Sequence, residues 1–189
     1  MKGEYMKIYV IGGKAKSGKN TFGEYLREEL KFYGYKPCVI HITEPLYSFA
    51  RNYFEWNEQT DEKPREFLQK MGTEIIKDKL GKKDFLINRL FEDIEILSNF
   101  FDCFIVTDAR LIDEFESIKD KYEDVITIKL ERKNYDDQLT EEEKKHITEK
   151  EIDSYHEFDY VIENKSLEDL KTSALEIIKN EEAVGGDYE

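Results

Sequence analysis

Residues 7–21 read Lys-Ile-Tyr-Val-Ile-Gly-Gly-Lys-Ala-Lys-Ser-Gly-Lys-Asn-Thr, an apolar run that passes directly into a glycine-bounded turn. Gly13, Gly18 and Lys19 match the spacing G-x-x-x-x-G-K, the pattern of a loop that wraps phosphate. Each part has a physical reason. Glycines let the backbone curl until successive N–H groups converge on one anion. A helix starting near Ser17 adds the positive end of its dipole at the same point. Lys19 brings a mobile ammonium to the terminal phosphates. The surroundings make a common short pattern specific. Ile8, Val10 and Ile11 precede the turn, and Phe22, Tyr25, Leu26 and Leu30 follow it at helical spacing, so the unit reads as strand, loop and helix. Gly13, Lys14, Ala15, Lys16, Ser17, Gly18, Lys19, Asn20 and Thr21 are therefore the candidate polyphosphate-binding residues.

The loop departs from the pattern at one position. Asn20 stands where a Ser or Thr hydroxyl would reach Mg²⁺, and Thr21 follows one residue later. A metal there can take the Asn20 carbonyl, waters or nucleotide oxygens, since Mg²⁺ keeps several waters in any case. Thr21 is expected to face an inner phosphate.

At 189 residues the chain is long enough for one α/β domain with its own core. No charged-then-apolar leader and no long uncharged apolar run is present, which predicts a cytoplasmic protein without a membrane segment. Cys38 and Cys103 both lie in apolar runs and read as buried thiols rather than a disulfide. A net charge of −14 argues against sequence-independent binding to a nucleic-acid backbone. An acidic protein that handles phosphate must concentrate its few cations at the site.

The hydrophobic period alternates along the chain. Short β-rich runs at 6–11, 37–42, 103–107, 124–130 and 159–162 are separated by helical stretches near 18–33, 45–55, 64–80, 84–99, 111–121, 138–150 and 167–180. That order predicts an α/β fold in three layers, a five-stranded, mostly parallel sheet with helices on both faces. About sixty residues of helix between the second and third strands exceed what a crossover needs. The stretch 43–101 reads as a helical insert that grips a second substrate. The polar, densely charged stretch 131–151 reads as a surface helix or a small lid. Residues 1–181 form the domain on this reading, and 182–189 a frayed tail.

Other residues add chemistry. Phe104-Ile105-Val106-Thr107-Asp108 is a buried strand ending in an acid, suited to orient Mg²⁺ or to cap the following helix. Arg110, two residues on, can clamp a phosphate bidentately or pair with Asp113 or Glu114. In the insert, Pro64 suits a helix start, and Arg65 and Gln69, four apart, share one face. A cation for a phosphate and an amide for a base edge are useful in that arrangement. Arg51 is a similar candidate, with Tyr47, Phe54 and Trp56 nearby as core or as stacking surfaces. His41, His146 and His156 show no metal-ligand spacing with the cysteines.

With these motifs in view, the chain resembles the deoxynucleoside monophosphate kinases of bacteriophages and their bacterial relatives, within the P-loop nucleoside monophosphate kinases. The resemblance covers most of the chain. It rests on Gly13 to Thr21, Arg65 to Thr73, Thr107-Asp-Ala-Arg-Leu-Ile-Asp-Glu114, His146-Ile-Thr-Glu149 and Phe158-Asp-Tyr-Val-Ile-Glu-Asn164. The G-K-x-T loop is also of that type. The resemblance implies transfer of the γ-phosphoryl group of ATP, with Mg²⁺, to a small nucleoside 5′-monophosphate. It implies Lys19, Asp108 and Arg132 as catalytic residues, and Asn20 and Asp108 toward the metal. Arg51, Arg65, Gln69 and Arg110 would hold the acceptor, and Asn164 would lie beside the adenine. No nucleic acid or membrane partner is implied, and the protein would be a monomer or homodimer. The lid carries Lys144 and Lys145, with Arg132 and Lys133 at its start, where adenylate kinases have several arginines. The Val-Ile-x-Asn stretch is also similar to dephospho-coenzyme A kinase, a rival acceptor class. A nucleotide-binding regulator is a second rival. Asn164-Lys165-Ser166-Leu167 approaches the guanine-reading N-K-x-D, but Leu167 lacks the carboxylate.

Overall fold

The five apolar runs expected as strands are strands in a computed structural model of the chain, which describes residues 6–133 and 151–185. They are β1 (Lys7–Gly12), β2 (Pro37–Ile40), β3 (Cys103–Ala109), β4 (Val125–Glu131) and β5 (Tyr160–Glu163). Every pairing is parallel, in the order β2-β3-β1-β4-β5. The glycine loop thus leaves the central strand at the carboxyl edge of the sheet, where open α/β sheets bind their ligands. The expected α/β architecture holds. The helices are α1 (Lys19–Phe32), α2 (Glu44–Tyr53), α3 (Arg65–Gln69), α4 (Phe85–Leu97), α5 (Ile112–Lys121) and α6 (Leu167–Gly185). The expected helix at 138–150, with Lys144, Lys145 and His146, lies outside the described residues. Among the described residues no helix is long and apolar enough to cross a membrane.

The chain divides into two compact units, Met1–Ile40 with Leu97–Glu189, and His41–Ile96. The first contains the whole sheet. Its strands are apolar on both faces because both faces are covered. On one side Tyr9, Ile11, Cys103, Ile105, Ile126 and Ile128 meet Phe22, Leu26 and Leu30 of α1 and Leu170, Ala174, Ile177 and Ile178 of α6. On the other side lies α5: the Phe115 ring would touch, at 2.5 Å, a Cβ added to Gly12. Leu26 is fully buried between helix and sheet. Leu26→Ala is expected to lower unfolding stability by about 3 kcal/mol, from lost transfer free energy and the cavity left behind. Urea titration checks it: a midpoint unchanged from the parent would mean that α1 is not packed as described.

Cys103 is buried as expected, but Cys38 is only half-buried, and both are free thiols. Cys38 pairs with Phe104 and Cys103 with Pro37, so the pleat sends the two sulfurs to opposite faces. Burial pushes both thiols up from their ordinary pKa.

The second unit is helical. The single helix expected over 64–80 is two kinds of helix. After α3 the turns widen to π-helical over Lys70–Lys79. Gly72 is buried there, and a Cβ on it would stand 3.1 Å from Leu46 Cδ1. Ile76, one turn on, is buried as well. The Phe54 and Phe67 rings meet at 4.8 Å, tilted by 58°, and Tyr47 meets Trp56 at 5.5 Å with the Lys63 ammonium 5.3 Å from the Tyr47 ring centre.

Candidate functional site

The turn between β1 and α1 closes on itself around Lys19. Its Nζ donates to the carbonyl oxygens of Gly13 and Lys14, each at 2.7 Å. The side chain is 7% exposed, so an ammonium is held inside the loop by main-chain oxygens. The backbone reaches this shape through three left-handed residues, Gly13 (φ 146°), Lys16 (φ 57°) and Gly18 (φ 104°). Glycine is required at the first and third for steric reasons as well. A Cβ on Gly13 would lie 2.5 Å from the Leu130 carbonyl oxygen, and one on Gly18 2.6 Å from Asn164 Nδ2. Lys16, a non-glycine residue in that region, marks local strain at the crown of the loop. Gly18 caps α1 with its backbone, so the helix starts at Lys19 rather than near Ser17.

Ser17 Oγ is buried with no hydrogen-bond partner among the described residues, and so is Thr107 Oγ1 on β3. Orphaned buried hydroxyls are costly, and two of them lie at this end of the sheet. Thr107 sits against α1, since a Cβ on Gly23 would meet its methyl at 2.5 Å. Asn20 and Thr21 are exposed.

The end of β3 holds a feature that composition does not reveal. Val10 pairs with Val106 and Gly12 with Ala109, so Thr107 and Asp108 together oppose Ile11 alone. This bulge places the half-buried Asp108 beside the strand that feeds the loop. The N-cap alternative for Asp108 fails. Leu111 occupies the cap of α5, and Glu114 Oε2 accepts from the backbone N–H of Arg110 at 2.8 Å and of Leu111 at 3.1 Å.

Two other segments touch the loop. Asn164 donates through Nδ2 to the Ser17 carbonyl at 2.8 Å, and its backbone N–H donates to Glu131 O at 2.7 Å. Arg132 Nη1 donates to the Lys16 carbonyl at 3.4 Å. A recess of about 160 Å³ opens between the loop and the end of β4. Among the described residues, Lys14, Lys129, Arg132 and Lys133 line it together with Glu131 and Asp153, and Ser17 lies at its wall. Lys14 pairs with Asp153 at 2.6 Å and Lys129 with Glu131 at 3.0 Å. Lys133 bonds Glu163 at 3.3 Å and, with Lys165, holds that carboxyl below the ordinary carboxylate range.

The structure therefore brings together Gly13 to Lys19, Arg132 and Asn164, with Asp108 and Arg110 at the adjoining strand end. Arg51, Arg65 and Gln69 belong to the helical unit. Arg51, on α2, pairs with Glu44 and lies 3.7 Å from Glu58. Arg65 opens α3 and Gln69 closes it, so the one-turn spacing stands. Sequence reasoning missed Glu151 and Asp153. They form a single 3₁₀ turn, Glu151–Asp153, in which Asp153 pairs with Lys14 at 2.6 Å. A three-residue turn has no periodicity to detect, and its partners are distant in the chain.

The family described as deoxynucleotide monophosphate kinase matches residues 40–174. No curated protein sequence matches the chain. Among solved structures, shikimate kinase from Bacteroides thetaiotaomicron superposes with a TM-score of 0.51 at 17% identity, over 92% of this chain and 96% of that one. That likeness shows a shared fold. Shikimate kinase from Aquifex aeolicus gives 0.48 at 14% identity over 94% and 99%. A gluconokinase from Sinorhizobium meliloti gives 0.49 at 13% identity over 98% and 99%.

Proposed function

The chain belongs to the deoxynucleotide monophosphate kinase family and is a P-loop phosphotransferase, and we propose that it transfers the γ-phosphoryl group of ATP to a deoxynucleoside 5′-monophosphate. The observation that carries this reading is Lys19, an ammonium held inside the loop by two carbonyl oxygens at the carboxyl edge of a parallel sheet. Loop and lysine supply a preorganised positive site that water does not have to vacate during the reaction. The orphaned Ser17 hydroxyl and the cationic recess fit a polyphosphate in the same place.

The chemistry needs no protein base. The acceptor phosphate has a second pKa near about 6, so its oxygens are largely ionised at neutral pH. One of them attacks the γ-phosphorus, a new P–O bond forms, the β–γ bridging bond breaks, and ADP leaves with that electron pair. Catalysis is then positioning and charge stabilisation. Lys19 exchanges its carbonyl partners for phosphate oxygens. The loop from Gly13 to Thr21 cradles the chain of phosphates, and Arg132 adds a cation at the transferring group. Asn164 shapes the loop through the Ser17 carbonyl and borders the nucleotide. Arg110 would bind the acceptor phosphate, and Arg51, Arg65 and Gln69 are the helical unit's own candidates for acceptor binding.

Mg²⁺ is held in such enzymes by one or two carboxylates plus substrate phosphates and water, not by an all-protein cage. The site fits that habit. Among the described residues no cluster of three metal-ligating side chains exists, yet the bulge presents one carboxylate, Asp108, beside the loop. Asp108, with Asn20, would hold the ion, whose charge would offset that of the phosphate oxygens.

A panel of deoxynucleoside and nucleoside monophosphates, assayed by ADP release at fixed Mg·ATP, tests the proposal. One or a few deoxynucleoside monophosphates are expected to raise turnover at least about 10²-fold over ATP alone, the scale of a properly placed acceptor. Stimulation by dephospho-coenzyme A instead, or by no acceptor at all, would overturn it.

A further inference from the structure

Three successive backbone N–H groups follow the bulge that carries Asp108, and carboxylates accept from all three. Glu114 Oε2 takes those of Arg110 and Leu111, and Glu151 Oε1 takes that of Ile112 at 2.7 Å. Glu114 is local, part of the first turn of α5. Glu151 reaches in from 39 residues away. Its own turn is firmly seated. Ile152 is 1% exposed, with its Cδ1 2.8 Å from a Cβ added to Gly12, the last residue of β1. Asp153 pairs with Lys14 in the phosphate loop. Tyr155, just beyond, stacks on Phe115 of α5 at 5.5 Å and donates its hydroxyl to Glu116 at 2.7 Å.

We propose that the Glu151–Asp153 turn is a cross-brace of the reaction centre, and that Glu151 is a positioning residue for Asp108 and Arg110. One foot stands on the donor-phosphate loop at Lys14. The other fixes the start of α5, immediately after Arg110. Ile152 presses between them on the end of β1. The brace sets the spacing between the group that binds donor phosphates and the strand end that faces the acceptor; in this it rests on the functional reading above. Glu151 touches no substrate. It acts by accepting one hydrogen bond, and an amide oxygen can accept the same bond.

The test compares the full chain with Glu151→Ala and Glu151→Gln, reading kcat, both KM values, the equilibrium affinity for Mg·ATP, and amide hydrogen exchange. In Glu151→Ala the Ile112 amide loses its protection. Its kcat is expected to fall about 10²-fold, the cost of displacing reacting groups by roughly 1 Å, with ATP affinity within about threefold of the parent. Glu151→Gln is expected to restore kcat to within about threefold, because the acceptor oxygen is retained. A purely structural role would instead lower ATP affinity and kcat together. The proposal is overturned if Glu151→Ala keeps kcat within twofold, if Glu151→Gln is as impaired as the alanine variant, or if Ile112 stays protected without the carboxylate. A parent protein that transfers phosphate to no deoxynucleoside monophosphate defeats the functional reading separately, and Ile112 exchange then decides the brace.

Discussion

Lys19→Ala is expected to lower kcat/KM by about 10³-fold or more, roughly 4 kcal/mol of transition-state stabilisation. The size follows from where the ammonium sits. It is 7% exposed and held within the loop by two carbonyls, so its charge lies at the phosphate seat, screened little by water. Removing it also strips both carbonyls of a partner, at about 1 kcal/mol each if water does not replace it. Lys19→Met separates the two effects, since the methionine stem fills the space without charge. It should remain folded by circular dichroism and be as inactive as the alanine variant. Lys19→Arg is not a rescue, because a planar fork cannot fit the pair of carbonyls that a compact ammonium satisfies. Parental turnover by either neutral variant would remove Lys19 from the chemistry.

Gly13→Ala should be nearly as damaging, for a steric reason. The residue has φ 146°, and the new methyl would lie 2.5 Å from the Leu130 carbonyl oxygen and 2.6 Å from Ser17 Oγ. Leu130 is a strand residue in the buried core, so that oxygen cannot retreat cheaply. A stability loss of about 3 kcal/mol and a fall in kcat/KM of about 10²-fold are expected. Gly34→Ala is the matched control. It too has positive φ, 90°, but nothing stands within 4 Å of the added carbon. It should cost only about 1 kcal/mol and leave activity intact. Equal losses from the two substitutions, measured by urea unfolding and steady-state kinetics, would show that the close packing around Gly13 is not what matters.

The contrast between these glycines illustrates what a sequence reveals. The strand, loop and helix of residues 7–32 are legible because the pattern is local: apolar residues in succession, glycines at fixed spacing, then a helical period. The five strands are legible for the same reason, as short apolar runs between helices. The bulge at Thr107–Asp108 is not, because it is a mismatch of register between two strands and leaves no mark on either alone. The same holds for the π-helical turns after Gln69, where a helical spacing of apolar residues serves both windings. Glu151 closes the charged stretch that reads as a surface helix or a small lid, and Asp153 lies just beyond it. Their meaning comes from Ile112 and Lys14, far off in the chain. Arg132, at the start of that stretch, donates to the Lys16 carbonyl, whereas Lys144 and Lys145 lie outside the described residues.

Following the γ-phosphate of ATP itself is the most direct measurement. With γ-labelled ATP, Mg²⁺ and the acceptor that stimulates ADP release best, label is expected in the deoxynucleoside diphosphate, one for each ADP formed, with Lys19→Met producing none. Label released only as inorganic phosphate, or transferred equally well by Lys19→Met, would contradict a phosphoryl transfer built on this loop.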